Sequence, residues 1–389
     1  MRRRRVSFVA FGLAMIVCGC SGGGGDSAAR TPTDRVFASA DPTPGSAGAD
    51  GGDPGLASAP VLPSAGRLVR TFTDESGARL DGPLAFSPDG GHIAGPGQGA
   101  DAFVWNNTSG AATKLTDAIF PGRPVSSLSY TRDGGELVTT GYQDRAWDPT
   151  TGALISNGFP PPTAAQNVGG NPDRGLGFGR DGTTFYVYTG VSAPTVAVGT
   201  YTLSGTALTA GASHHLASAL DTAAYPPVVS PDGLSVVGAT ATATGHAPYL
   251  IDLASGNATP IALRPADTSP GADTTAVGYS PDGSLLAVAR LQSGGEAVTL
   301  YDTTTWTKTV SFRGNAFAFS PDGTTIAVGS NDTGPGVQLY TVADGKRIGT
   351  LSTASELAHS PGPLAFSPNG RELAAAEGLA GIELWSLRP

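Results

Sequence analysis

Cysteine is almost missing from this chain: there are two, Cys18 and Cys20, both within the first twenty residues. The long body that follows therefore holds no disulfide, no thiolate metal site and no cysteine nucleophile, which removes several enzyme classes. Lysine is nearly as scarce, with only Lys114, Lys308 and Lys346. Against 32 Asp and Glu residues stand 23 Lys and Arg; four of those arginines lie in residues 1–19, which carry no acid, so the remainder opposes 19 basic to 32 acidic residues and has a net charge of −13. Such a surface repels phosphate backbones, so nucleic acid is not an expected partner. HExxH, Walker, GxSxG and EF-hand patterns are missing, and the glycines at 22–25 are followed by no Lys-Ser/Thr pair that would make a phosphate cradle. No cofactor and no metal are expected, and neither is an enzyme. No stretch of helical period is long enough to suggest a helical domain.

What is present begins with charge. Arg2 to Arg5 form a positive block, and Val6 to Val17 is an uncharged apolar run. That run falls short of the roughly 20 apolar residues that cross a bilayer as a helix, but suits the core of an export signal. It ends in Val17-Cys18-Gly19-Cys20-Ser21. These residues resemble a bacterial lipobox, with an aliphatic residue at −3, a small one at −1 and cysteine at +1; Cys18 is an uncommon occupant of −2. The resemblance implies a signal peptide over 1–19 and acyl chains on Cys20. Two or more chains anchor a protein stably where one does not. Membrane lipid would then be one partner and the cell envelope the location. Ser21 in place of Asp favours the outer over the inner membrane, by analogy with lipoprotein sorting. An ordinary cleaved secretory signal is the alternative.

Residues 20–65 are dominated by Gly, Ser, Ala, Pro, Asp and Thr, with Val36, Phe37, Leu56, Val61 and Leu62 as the large apolar exceptions. This composition buries too little apolar surface to offset its ordering entropy, so a flexible tether is expected. Its r.m.s. reach is on the order of 40 Å. From Gly66 onward, glycine and proline punctuate short β-branched and aromatic runs, the pattern of an all-β body.

One turn recurs seven times: Ser87-Pro88-Asp89-Gly90, Thr131-Arg132-Asp133-Gly134, Gly179-Arg180-Asp181-Gly182, Ser230-Pro231-Asp232-Gly233, Ser280-Pro281-Asp282-Gly283, Ser320-Pro321-Asp322-Gly323 and Ser367-Pro368-Asn369-Gly370. Ser, Pro, Asp or Asn, and Gly in that order suit a type I turn. The glycines lie 44, 48, 51, 50, 40 and 47 residues apart, a period that belongs to four-stranded propeller blades. Apolar runs flank each turn, and a third strand ends at a large residue: Trp105, Trp147, Tyr201, Ile251, Tyr301, Tyr340 and Trp385. These bulky residues are expected in the core.

The pattern over Gly66 to Pro389 is similar to WD-repeat propellers, with Leu300-Tyr301-Asp302 and Ala146-Trp147-Asp148 standing where that family has its Trp-Asp pair. The Gly-His pair of that family is missing, and His359, near one blade entry, is read as structural. The resemblance implies an all-β, seven-bladed β-propeller of four-stranded antiparallel blades over 66–389. Gly66-Arg67-Leu68-Val69-Arg70-Thr71-Phe72 matches Gly345-Lys346-Arg347-Ile348-Gly349-Thr350-Leu351, while the last unit lacks a fourth strand after Trp385. The N-terminal strand is therefore expected to complete the last blade and protect its edge. No appended hydrolase domain is expected.

Candidate chemistry is sparse. His214 and His215 are consecutive, so on a strand they face opposite ways and a shared ion is not expected. One Asp per turn is too few for the six to eight oxygens that calcium takes. Partners are expected on the face formed by loops between second and third strands and between blades. Those loops carry Phe120, Arg123, Phe159 and Tyr225, with Arg145 nearby and longer excursions at 189–198, 240–248 and 291–297. Aromatic and Arg residues are enriched at binding hot spots; the alternative is that these rings plug the loops. The expected function is a monomeric, non-catalytic scaffold for a protein or peptide. The rivals are an envelope-assembly component similar to the Tol-system propeller, and an enzyme or sugar-binding propeller with its site in the central channel.

Overall fold

A computed structural model of the protein describes residues 66–387 except 74–79, 81, 98–101, 117–124, 142–143, 158–175, 179–183, 190–196, 205–206, 216–226, 243–244, 264–272, 293–294, 330–335, 353–361 and 378–380. All described residues belong to one compact unit. Cys20, the tether, the turn at 179–182 and His359 lie outside the described residues, as do Phe120, Arg123, Phe159 and Tyr225.

The described chain enters as β1 (Arg67–Phe72). It then makes a first sheet of β2 (Ala85–Phe86), β3 (His92–Pro96), β4 (Ala102–Asn106) and β5 (Ala112–Leu115), and a second of β6 (Val125–Tyr130), β7 (Leu137–Gly141), β8 (Arg145–Trp147) and β9 (Leu154–Asn157). The third holds β10 (Leu176–Phe178), β11 (Thr184–Thr189), β12 (Ala197–Ser204) and β13 (Ala207–His215). The fourth holds β14 (Val228–Val229), β15 (Ser235–Thr242), β16 (Gly245–Asp252) and β17 (Ala258–Pro260). The fifth is β18 (Asp273–Tyr279), β19 (Leu285–Gln292), β20 (Gly295–Asp302) and β21 (Lys308–Arg313); the sixth is β22 (Ala316–Phe319), β23 (Thr325–Gly329), β24 (Val337–Thr341) and β25 (Arg347–Leu351). The seventh is β26 (Leu364–Phe366), β27 (Glu372–Ala376) and β28 (Ile382–Ser386), with β1 added outside β28. Every pairing is antiparallel between neighbours in this order. The architecture is an all-β propeller of four-stranded antiparallel blades.

β1 occupies its sheet as β25 occupies the sixth. Both strands carry a one-residue bulge at the same place, Val69 in β1 and Ile348 in β25. The bulge recurs at Ile155 and Thr309, in the fourth strands of the second and fifth sheets. Gly336 before β24 and Gly381 before β28 both have φ in the left-handed half of the map, +128° and +97°. A side chain on Gly336 would strike the carbonyl of Leu351, and one on Gly381 the carbonyl of Phe72. Phe72 and Leu351 thus close equivalent positions.

The sheets are joined by apolar seams. Phe72, Ile382 and Leu384 of the seventh sheet share a cluster with Ile93, Phe103 and Trp105 of the first. Val104 and Leu115 meet Leu128, Leu137 and Trp147 of the second; Val138 and Ala146 meet Tyr201 and Leu203 of the third. Val237 of the fourth, with Leu263 just beyond its last strand, meets Val277, Leu286 and Tyr301 of the fifth. Ala287, Val298 and Leu300 meet Ile326 and Val328 of the sixth, whose Ala327, Val337 and Leu351 meet Leu373 and Trp385 of the seventh. Trp105, Trp147 and Trp385 are at most 1 % exposed. A ring of that kind buries about 150–250 Å², worth on the order of 4–6 kcal/mol as an upper bound.

The repeated turn works through its serine. The Ser87 hydroxyl donates to Asp89 Oδ1 at 2.5 Å and accepts from the His92 N–H at 2.9 Å, while Asp89 Oδ1 also accepts from the Gly91 N–H at 2.9 Å. The same three bonds recur around Thr131 and Asp133, Ser230 and Asp232, Ser280 and Asp282, Ser320 and Asp322, and Ser367 and Asn369. The glycine closes each turn at φ near +70°, where a Cβ is penalised. These turns also touch across the seams: a Cβ on Gly90 would be 3.7 Å from Pro368 Cδ, one on Gly134 3.2 Å from Pro88, one on Gly283 3.5 Å from Pro231, one on Gly323 3.7 Å from Pro281 and one on Gly370 3.5 Å from Pro321.

Candidate functional site

These serine-centred turns, together with those between third and fourth strands, form one face of the molecule. On this turn face the sixth and seventh sheets part to leave a cleft of about 470 Å³. Its apolar floor is Leu339, Ile348, Phe366 and Leu387, all half-buried. Two turns frame it, one through Pro321 and Asp322, the other through Pro368 and Asn369. Asp322 holds its carboxyl below the usual carboxylate range because the Ser320 hydroxyl, the Thr324 N–H and the Thr324 hydroxyl all donate to it. The carboxylate is therefore ionised at neutral pH and occupied in holding the turn, which suits a wall and not a proton donor. The bulge of β25 puts Ile348 on the floor, a residue that nothing in its sequence marks. The other turn aspartates, Asp89, Asp133 and Asp282, are held low by the same hydroxyl and N–H donors.

The opposite face carries the connections between second and third strands and between sheets. Here charge is buried. Glu377 is 4 % exposed and Glu383, across the same hairpin, 1 %. Burial, reinforced by the charge of Glu383, pushes the Glu377 carboxyl up to about 8. Its Oε1 has no hydrogen-bond partner among the described residues. Between the fourth and fifth sheets, the His246 N–H donates to Asp273 Oδ1 at 2.8 Å and His246 Nδ1 lies 2.9 Å from the same oxygen.

Of the five residues expected to meet a partner, Arg145 alone is described. It is 2 % exposed, with its guanidinium carbon 5.9 Å from the centre of the Trp147 ring. Trp147 Nε1 in turn donates to Thr139 Oγ1 at 2.9 Å. Arg145 thus packs inside the second sheet. The structure does not bring it together with the turn-face cleft, whose turns were read from the sequence but whose floor residues Leu339, Phe366 and Leu387 were not singled out. Glu377 and Glu383 went unnoticed too, although single acids inside otherwise apolar strand runs are a readable signal. His214 and His215 are the last two residues of β13. Among the described residues no group of three or more His, Cys, Asp or Glu could hold a metal ion, and no helix is long and apolar enough to cross a membrane. Neither a scan of protein-family models nor a search of curated proteins finds a match to this chain.

Proposed function

We propose that this chain is a lipid-anchored scaffold of the cell envelope, acylated at Cys20, that binds a protein or peptide partner without catalysing a reaction. Its body is a closed ring of seven blades similar to WD-repeat propellers, sealed by β1. The pairing of β1 with β28 and the shared cluster of Phe72, Ile93 and Trp105 support the closure. One observation carries the binding role: the turn-face cleft, whose apolar floor of Leu339, Ile348, Phe366 and Leu387 is framed by hydrogen-bonded turns. Concave apolar surface with a few fixed polar groups at the rim is what ligand sites share, and a pre-formed site costs little ordering on binding.

Selection of a random peptide library on the full chain tests this. Selected peptides should carry apolar side chains and lose at least tenfold affinity to the Phe366→Ala and Ile348→Asp variants. Peptides that bind both variants as well as the parent would remove the cleft from the proposal. Incorporation of labelled palmitate in a bacterial host, abolished by Cys20→Ser, checks the anchor.

A further inference from the structure

The turn face is crowded with ionised carboxylates. Besides Asp89, Asp133, Asp282 and Asp322, the turns between third and fourth strands carry Asp148, Asp252, Asp302 and Asp344. Each of these is held below the usual carboxylate range by hydroxyl and N–H donors of its own turn. The same turns carry Arg132, Lys346 and Arg371 as cations, so acid outweighs base on this face as it does over the chain beyond residue 19.

Of these carboxylates, Asp322 lines the cleft, exposed at its rim. Its bonds are unevenly divided. The Ser320 hydroxyl, the Thr324 N–H and the Thr324 hydroxyl all donate to Oδ1, and Oδ2 accepts from no group among the described residues. In the fifth sheet, by contrast, Asp282 Oδ2 accepts from the Ser284 hydroxyl at 2.8 Å. A carboxylate has about four lone-pair sites, so Asp322 keeps acceptor capacity. Arg347 and Arg371 adjoin lining residues in sequence, yet no cation is among the groups that hold Asp322 ionised. Nor does the turn need the charge. Asn369 fills the same place in the seventh sheet, and its carbonyl oxygen accepts from the Ser367 hydroxyl and the Arg371 N–H. The second oxygen and the negative charge of Asp322 are surplus to the fold.

We propose that the partner segment of this cleft is cationic as well as apolar: an apolar side chain seats on the floor while a neighbouring lysine or arginine reaches Asp322 Oδ2. This rests on the cleft being the binding site of the proposed function and names the chemistry of its partner. Magnitudes divide the roles. The floor supplies most of the affinity, since a solvent-exposed ion pair adds no more than about fivefold. The charge supplies selection: the acidic face draws a basic segment towards the cleft and repels an acidic one.

The test selects a random peptide library on the full chain and keeps, as cleft binders, the peptides that lose affinity to Phe366→Ala. These should carry a Lys or Arg beside an apolar residue. Their affinity should fall about three- to fivefold in Asp322→Asn, and rise about as much in Asn369→Asp, which sets a second carboxylate on the rim. Raising sodium chloride from about 0.05 to 0.5 M should weaken binding to the parent more than to Asp322→Asn. Neutral or acidic cleft binders overturn the cationic partner and leave the apolar cleft standing. Equal affinity for the parent and for Asp322→Asn does the same, provided the variant keeps the parent's circular dichroism and melting temperature. If Asp322→Asn melts lower, Asn369→Asp decides alone, and no gain for basic peptides overturns the proposal. Library peptides indifferent to Phe366→Ala remove the cleft and this partner chemistry together.

Discussion

The two faces of the molecule solve the problem of polar groups in opposite ways. On the turn face the aspartates of the repeated turn are given donors by that turn itself, a hydroxyl and a backbone N–H within two residues. On the opposite face Glu377 is buried beside a second acid and lacks a partner for Oε1 among the described residues. The lesson is that a local hydrogen-bond net can be copied from sheet to sheet, whereas the buried pair of Glu377 and Glu383 belongs to the one hairpin that carries it. Stability should follow the same division, and so should its dependence on pH.

The largest effect is expected where β1 joins the seventh sheet to the first. Phe72 is 2 % exposed and shares its cluster with Trp105 and Ile382, so Phe72→Ala should cost about 3–5 kcal/mol. Urea denaturation would report this as a lower midpoint at unchanged slope. A loss under about 1 kcal/mol would mean that β1 is not part of the core.

Next in size is Glu377→Gln. The carboxyl titrates near 4.5 when unfolded and at about 8 when folded, so between those values the native state holds a proton that the unfolded chain has released. Stability is therefore favoured below about pH 4.5, declines as pH rises, and carries the full cost above pH 8, at most about 5 kcal/mol. The glutamine variant should lose this decline and be the more stable protein at pH 9, measurable by melting at pH 5, 7 and 9. The turn aspartates run the other way. With carboxyls held low, they stabilise above about pH 3.8, a contribution lost as acid protonates them. Parallel pH curves for parent and variant would end the contrast between the faces.

The smallest of the three is Ser320→Ala. It removes the hydroxyl that joins Asp322 to the Thr325 N–H and should cost about 1–3 kcal/mol. Ser280→Ala should cost about as much, because the bonds are the same. Widely different losses at the two sites would show that the turns are not equivalent units.

This division also explains what could be read from the sequence. Ser-Pro-Asp-Gly is a local code, so the turns, their spacing and the strands around them were legible, as was the kinship of 66–72 with 345–351. The bulges at Val69 and Ile348 were not, since a bulge is a property of a pair of strands. The cleft was invisible for the same reason: Leu339, Ile348, Phe366 and Leu387 come together only when two sheets pack. Arg145 was expected near a partner surface because Arg is enriched at binding hot spots; the Trp147 ring beside which it is buried is two residues away in sequence but is positioned by Thr139 from β7.

Hydrogen exchange of β1 gives the most direct check on the central claim, that the N-terminal strand is the fourth strand of the last sheet. The β1 amides that point at β28 should exchange as slowly as those joining β25 to β24, and together with those of β28. Exchange of the Leu68–Phe72 amides at unprotected rates, with β27 and β28 still protected, would contradict it.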